Sequence, residues 1–414
     1  MTTFTALHRA LGLPPSPITS KLLDAAVEAG VAETDDLDWK RELPQTKGLA
    51  DTDLPKDIAA MANSGGGIIV YGAAERQKCA AERVNVDVFT EGQERTLRAA
   101  AYSAIVPPVM NLKIHRLDES EPRAVVIEVP PSAEGPHLIL KNQYFGAPLR
   151  NDADTEWMKE RQIEHAYRAR FEERRHSAQA LAALYDEAAV GRGEDRAWLI
   201  AAARPRMPFV GKSMDRSDAS QLIQRAFSVV QNWISGQAPH PMMETSWPSP
   251  RPGLRRWTVS SDGSRRSWQD TQVGLLHDGS VLLTTSLGGA PGRSMDDLME
   301  PHQITGSLIE LGVADHMALV WSVAEHYGLD EYDVCVGIEW GGSELLEFWT
   351  SDNTNFLTGD LGTPVHRYTP VEITASPKTT VQDFHAQVYE LVQLCINQGG
   401  LSRLRLMHEP APQQ

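Results

Sequence analysis

The run Leu54-Pro-Lys-Asp-Ile-Ala-Ala-Met-Ala-Asn-Ser-Gly-Gly-Gly-Ile-Ile-Val-Tyr-Gly72 admits few folds. Leu54, Ile58, Met61 and Ala62 recur at helical spacing, with Asp51 or Asp53 placed to cap the start. Gly65, Gly66 and Gly67 then end the helix, because glycine reaches positive φ at little steric cost. Ile68-Ile-Val-Tyr71 is a β-branched run that predicts a central strand. Asn63 is expected to brace the turn. The glycines do not form a nucleotide loop. No GK[ST] ending follows, and the order is helix-to-strand, so no helix N-terminus faces the turn. ATP is therefore not an expected cofactor.

Acids flank this unit. Glu33 and Asp38 precede it, Lys40 follows Asp38 by two, and Glu75 lies just beyond the buried strand. Side chains at i and i+2 of a strand share a face, so Asp38 and Lys40 point together and Trp39 points the other way. If the two strands are neighbours, Glu33, Asp38 and Glu75 converge at one rim. Three carboxylates with a lysine suit a hard Mg²⁺ or Mn²⁺ ion, which can activate water against a phosphodiester. The same spacing also fits solvated surface acids.

The pattern resembles the Schlafen AlbA-type domain. Asp38-Trp39-Lys40 is similar to its first strand, and Ala60-Met-Ala-Asn-Ser-Gly-Gly-Gly-Ile-Ile-Val-Tyr-Gly72 to its second block. Val125-Val-Ile-Glu-Val-Pro-Pro-Ser132 with Gly135-Pro-His137, and Arg150-Asn-Asp-Ala-Asp-Thr155, resemble two later segments. The four blocks run in order over roughly residues 30–170. The resemblance implies nucleic-acid binding and, in some members, metal-dependent cleavage of structured RNA by clustered acids. By position those acids are Glu33, Asp38 and Glu75, with Lys40 beside them and Arg150 as a nucleic-acid contact. The chain departs from the pattern at Asp38, one methylene shorter than the usual glutamate. It departs again at Ala74-Glu75, where an aspartate pair is usual, and at Asp152, where a glycine is usual.

With 414 residues the chain is long enough for two or three domains. The reading is mixed α/β (α+β). Residues 1–190 form an N-terminal domain with leading helices and a trailing long helix capped by Thr155. Residues 191–270 form a basic Pro/Arg-rich connecting region. Residues 271–414 form an acidic α+β domain of unknown role. The net charge of −16 is unevenly spread. Residues 161–266 carry 17 Lys and Arg against 11 Asp and Glu, whereas residues 267–414 carry 5 against 20. A polyanion would therefore meet the middle third. Arg251, Arg255, Arg256, Trp257, Arg265, Arg266 and Trp268 pair arginine forks with stacking surfaces there. Arg168, Arg170, Arg174 and Arg175 form a second basic group, with Glu164, Glu172 and Glu173 as competing helix partners.

Three cysteines, Cys79, Cys335 and Cys395, form no CxxC pair, which points to a reducing cytoplasm. The N-terminus does not read as a signal peptide, and no run of ~18–20 consecutive apolar residues suggests a membrane span. The leading expectation is a nucleic-acid-binding protein, RNA and DNA undistinguished. The alternatives are a metal-dependent endonuclease and a non-catalytic assembly protein. The assembly protein would bind a protein partner through its acidic C-terminal part, or would form a homo-oligomer.

Overall fold

A computed structural model describes residues 4–45, 48–117, 121–141, 144–209, 213–234, 239–261, 268–290, 298–350, 361–377 and 379–410. The chain is mixed α/β. It divides into two units, Met1–Arg174 and Arg175–Gln414.

In the first unit, α1 (Ala6–Leu11) and α2 (Ser20–Glu28) lead into β1 (Leu37–Lys40), α3 (Leu54–Asn63) and β2 (Gly67–Tyr71). Then come β3 (Ala73–Arg76), β4 (Cys79–Arg83), α4 (Glu91–Ala104), β5 (Ile105–Val106), β6 (Lys113–Leu117) and β7 (Ala124–Val129). β8 (Leu138–Lys141), β9 (Tyr144–Gly146), β10 (Pro148–Asn151), β11 (Asp154–Trp157) and α5 (Glu160–Ala189) follow. The main sheet has the order β1-β2-β7-β6, with β1 parallel to β2 and β7 antiparallel. Both faces of β2 are covered, which is why it reads as an unbroken apolar run. Ile69 and Tyr71 pack with α3 and α4, whereas Ile68 and Val70 pack with Trp39 and the leading helices. Each fully buried isoleucine there contributes about 1.5–3 kcal/mol.

Three local expectations are corrected. Asp53 does not cap α3. Its backbone is already helical, its carboxylate pairs with Lys56, and Thr52 Oγ1 accepts the Leu54 N–H instead. The run Val109-Met-Asn-Leu-Lys-Ile-His115 reads as a strand in sequence, yet the strand begins only at Lys113, because Asn111 sits at φ 58° and breaks the extended run. Thr155 does not start the long helix. Asp152, at φ 57°, turns β10 back into β11, and α5 begins at Glu160.

The second unit contains β12 (Trp198–Pro205), α6 (Arg216–Val230), β13 (Arg251–Gly253), β14 (Arg256–Ser260), β15 (Thr271–Leu276) and β16 (Val281–Ser286). It continues with β17 (Gln303–Thr305), α7 (Gly306–Tyr327), β18 (Tyr332–Glu339), β19 (Glu347–Trp349), β20 (Val371–Ala375) and α8 (Val381–Asn397). Its seven-stranded sheet runs β13-β14-β15-β16-β12-β18-β20, antiparallel throughout. Leu199, Ala201 and Ala203 of β12 face the core made with α6, α7 and α8. Ile200 and Ala202 face Leu181, Leu184 and Tyr185 of α5. Residues 191–270 are therefore no connector. They supply an inner strand, a helix and two further strands, and the boundary between the units falls within α5. The alanines of β12 concealed it, since they carry little strand propensity.

α7 is long and apolar enough, by length and composition, to cross a membrane, yet 94% of its most apolar window is buried inside the structure.

Candidate functional site

β1 lies beside β2 with Asp38 opposite Ile69 and Lys40 opposite Tyr71. Strand alternation sends Trp39 into the core, where its indole N–H donates to the Val31 carbonyl. Asp38 and Lys40 take the other face. Lys40 Nζ sits 2.8 Å from Asp38 Oδ2 and 3.6 Å from Asp57 Oδ2. From the far side, Arg150 Nη1 approaches Asp38 Oδ1 at 3.5 Å, while Nη2 donates to the Thr34 carbonyl. Asp38 is thus held between two protein cations. Arg150 Nε makes no hydrogen bond, so Arg150 meets Asp38 by proximity of charge, whereas Lys40 Nζ lies within hydrogen-bond distance of it.

Glu33 completes the group. Its carboxylate accepts the Trp39 N–H at 2.9 Å. Burial pushes its carboxyl up to about 7, helped by the negative charges of Asp38 and Glu75 and opposed by the Trp39 bond and Lys40. Burial likewise lifts Asp57 to about 6 against the pull of Lys40. Burial works against the charge of Lys40, but Asp38 and Asp57 outweigh it and raise its pKa. Burial beside Asp57 and Asp38 also raises the Tyr71 phenol. Two carboxyls that titrate near neutrality around a lysine mark a candidate functional site.

The structure therefore brings Glu33, Asp38 and Lys40 together, with Glu75 exposed on β3 and felt by Glu33 through space. Arg150 is a correction. Only 3% of its side chain is exposed, so it neutralises Asp38 rather than reaching out to a phosphate. Asp57 was missed. It lies three residues after Leu54 and four before Met61, hence on the buried face of α3, and a carboxylate on an apolar stripe is the signal that would have found it. Among the described residues no group of three or more His, Cys, Asp or Glu side chains is placed to hold a metal ion. The cations lying between these acids are Lys40 and Arg150. The donor set does not fit a shared Mg²⁺ or Mn²⁺.

The glycine turn positions the site without entering it. Gly65 and Gly66 have φ of 97° and 90°, and the Gly66 N–H caps α3 by donating to the Met61 carbonyl. A Cβ on Gly66 would come within 2.7 Å of Pro131 N. Gly67 differs. It opens β2, and a Cβ there would come within 2.7 Å of the Asp36 carbonyl oxygen. Close approach of β1 and β2 thus requires it. Asn63 is a staple: Nδ2 donates to the carbonyls of His137 and Pro148, and Oδ1 accepts the His137 N–H. Next to it, Ser64 Oγ accepts the Arg150 N–H, which ties β10 to the end of α3.

In the second unit the basic–aromatic group separates into bound and free members. Arg256 pairs with Glu187, and the Trp257 indole N–H donates to the Met214 carbonyl while its ring packs on the core. Both expected nucleic-acid contacts are thus engaged within the unit, Arg256 by an ion pair and Trp257 by packing. Arg251 and Arg255 are exposed on the β13–β14 hairpin. Arg265 and Arg266 lie outside the described residues. On α5, Arg168 pairs with Glu164, and Arg170 and Arg174 both pair with Glu134.

No curated protein matches the chain. Among solved structures, it is similar to the N-terminal domain of an ATP-dependent DNA helicase RecG-related protein from Nitrosomonas europaea. That match has 16% identity and a TM-score of 0.26, and it covers 34% of this chain and 92% of the other. The DIP2311 protein from Corynebacterium diphtheriae matches at 14% identity and a TM-score of 0.24, over 50% of this chain and 37% of that one. The sequence model of the family described as Schlafen, AlbA_2 matches residues 33–159, a span that holds Glu33, Asp38, Lys40, Asp57, the glycine turn, Glu75 and Arg150. Residues 33–159 of this chain are therefore a domain of the Schlafen AlbA_2 family.

Proposed function

We propose that this chain is a nucleic-acid-binding protein. One observation carries the reading. Arg251 and Arg255 project from a hairpin at the edge of the seven-stranded sheet, exposed and without a side-chain partner among the described residues. Free guanidinium forks of this kind match phosphate oxygens in pairs. They lie in the stretch of the chain where basic residues exceed acidic ones. The Schlafen AlbA_2 domain supports the same reading through the nucleic-acid role that its family resemblance implies.

A second reading, a nuclease, has one observation in its favour. Asp38 and Glu75 lie near enough to Glu33 to help push its carboxyl towards neutrality, and a neutral-range carboxyl can transfer protons.

Labelled tRNA, single-stranded DNA and duplex DNA, each titrated across salt with and without Mn²⁺, separate the two. The binding reading expects at least one nucleic acid to be retarded intact. The Arg251→Ala/Arg255→Ala double variant should then weaken binding and flatten the salt slope by nearly 2. Cleavage in Mn²⁺ that Asp38→Asn abolishes would replace this reading with the nuclease. No retardation of any nucleic acid at low salt would overturn it, leaving assembly with a protein partner as the remaining reading.

A further inference from the structure

The β13–β14 hairpin breaks the rules of its own turn. Gly253 pairs with Arg256, so the connection is the two residues Leu254-Arg255. Two-residue hairpin turns favour pairs such as Asn-Gly, because glycine and asparagine tolerate the required backbone. Here Arg255 sits at φ 55°, in the left-handed region where a residue with a Cβ is strained. Leu254 is 85% exposed, the highest among the exposed large hydrophobic residues. Their carbonyls accept from Arg256 Nε and the His277 N–H, but neither side chain makes a hydrogen bond or ion pair among the described residues. Local choices that cost stability without a structural return mark positions used for something else. The tip presents an aliphatic side chain beside the exposed Arg255, with the exposed Arg251 three residues back at the start of β13.

Resting on the nucleic-acid reading above, we infer that this hairpin enters the minor groove of duplex DNA and wedges Leu254 between base pairs. Single-strand sites rely on aromatic platforms for successive bases. The aromatic ring nearest in sequence, Trp257, is committed to Met214 and the core. An aliphatic wedge beside an exposed arginine is instead suited to unstacking one step of a duplex and kinking it. Arginine is drawn into a narrowed minor groove by its enhanced negative potential. The undistorted minor groove is about 6 Å wide and paired strands stand about 4.8 Å apart between their backbones, so only the Leu254-Arg255 turn enters it, as the kink opens the step. A-form RNA offers no equivalent slot, since its minor groove is wide and shallow.

The test uses the full chain and a duplex of about 30 base pairs, within the length over which a bend is measurable. The duplex carries 2-aminopurine beside a central T·A step and a donor–acceptor dye pair at its ends. The wild-type chain should raise 2-aminopurine fluorescence and shorten the end-to-end distance. Leu254→Ala should keep affinity within about threefold while losing both signals. Arg251→Ala/Arg255→Ala should lose tenfold or more in affinity, since it removes two phosphate contacts. Binding without bending, or bending that persists in Leu254→Ala, overturns the wedge and leaves the nucleic-acid reading intact. A wild-type chain that binds no duplex but binds single strands also overturns the wedge alone. A chain that binds no nucleic acid at all overturns both.

Discussion

Both units bury acids, and they treat them in opposite ways. In the second unit, Glu310 of α7 accepts the backbone N–H groups of Arg405, Leu406 and Met407 at 2.8–3.1 Å. Five residues on, Asp315 accepts from His240 Nδ1 at 2.7 Å and from the Met242 N–H at 2.9 Å. These carboxylates are saturated by donors and serve as clasps for the 405–407 and 240–242 segments. In the first unit, Asp38 and Asp57 face the partly exposed Lys40 at 2.8 and 3.6 Å, and the second cation on Asp38, Arg150, stands off at 3.5 Å. Acids saturated by backbone donors are fixed in one arrangement, whereas acids paired with a flexible, partly exposed lysine are held more loosely. Burial alone therefore does not mark a functional site here. The manner in which each charge is satisfied does.

The comparison can be broken at several places, the most costly first. Glu310→Ala strips acceptors from three N–H groups at once. A loss of about 4 kcal/mol is expected, read from the urea midpoint, at roughly 1–3 kcal/mol for each donor left unsatisfied. A loss below about 1 kcal/mol would show that the 405–407 segment is not clasped there. Asp38→Asn leaves Lys40 and the buried Arg150 without their shared counter-charge. It should cost about 3 kcal/mol, the lower end for breaking a buried pair, and Arg150→Met combined with it should restore part of that. If the double variant is as unstable as the sum of the singles, the two residues do not act together.

Glu33→Gln tests the open cluster through pH. The carboxyl ordinarily titrates at 4.5 and is raised to about 7 in the fold. Between those values the folded chain binds more protons than the unfolded one. Stability from this group is therefore present at low pH and lost as pH rises through the window. Glutamine keeps an acceptor for the Trp39 N–H and does not titrate. The variant should gain on the wild-type chain between pH 5 and pH 8, by on the order of 2 kcal/mol. An unchanging difference across that range would remove Glu33 from the cluster. The smallest effect concerns the hairpin. Arg255→Gly relieves φ 55° and should stabilise the chain by about 0.5–1 kcal/mol. Thermal melting that moved downward would mean that the arginine contributes to the fold after all.

Much of the first unit was legible because its signals are local. The helix–glycine–strand block and the Asp38/Lys40 face follow from periodicity over a few residues. What was not legible depends on partners distant in sequence. Arg150 reads as a free phosphate contact until β10 is folded against the end of α3 and its guanidinium meets Asp38. Arg256 and Trp257 read with Arg255 as one basic–aromatic group in sequence, yet an ion pair with Glu187 engages Arg256 and core packing engages Trp257. Thr155 resembles a helix cap, and only the turn at Asp152 reassigns it to a hairpin. The inner strand β12 was hidden by its own composition, since Ala201-Ala-Ala203 gains its place from flanking strands rather than from intrinsic preference.

α7 carries a consequence for how the chain is made. The helix is enclosed by α6, α8 and the large sheet, yet β18, β20 and α8 all follow it in sequence. A nascent chain released only through Tyr327 must therefore hold a 22-residue apolar helix with one flank still to be synthesised. At translation rates of about 5–20 residues per second, that flank stays bare for several seconds. During this interval the segment offers chaperones and membrane-targeting factors the same apolar surface that a true spanning helix would. Truncations that end between α7 and α8 should accordingly aggregate or be captured, while the complete chain conceals the helix from both.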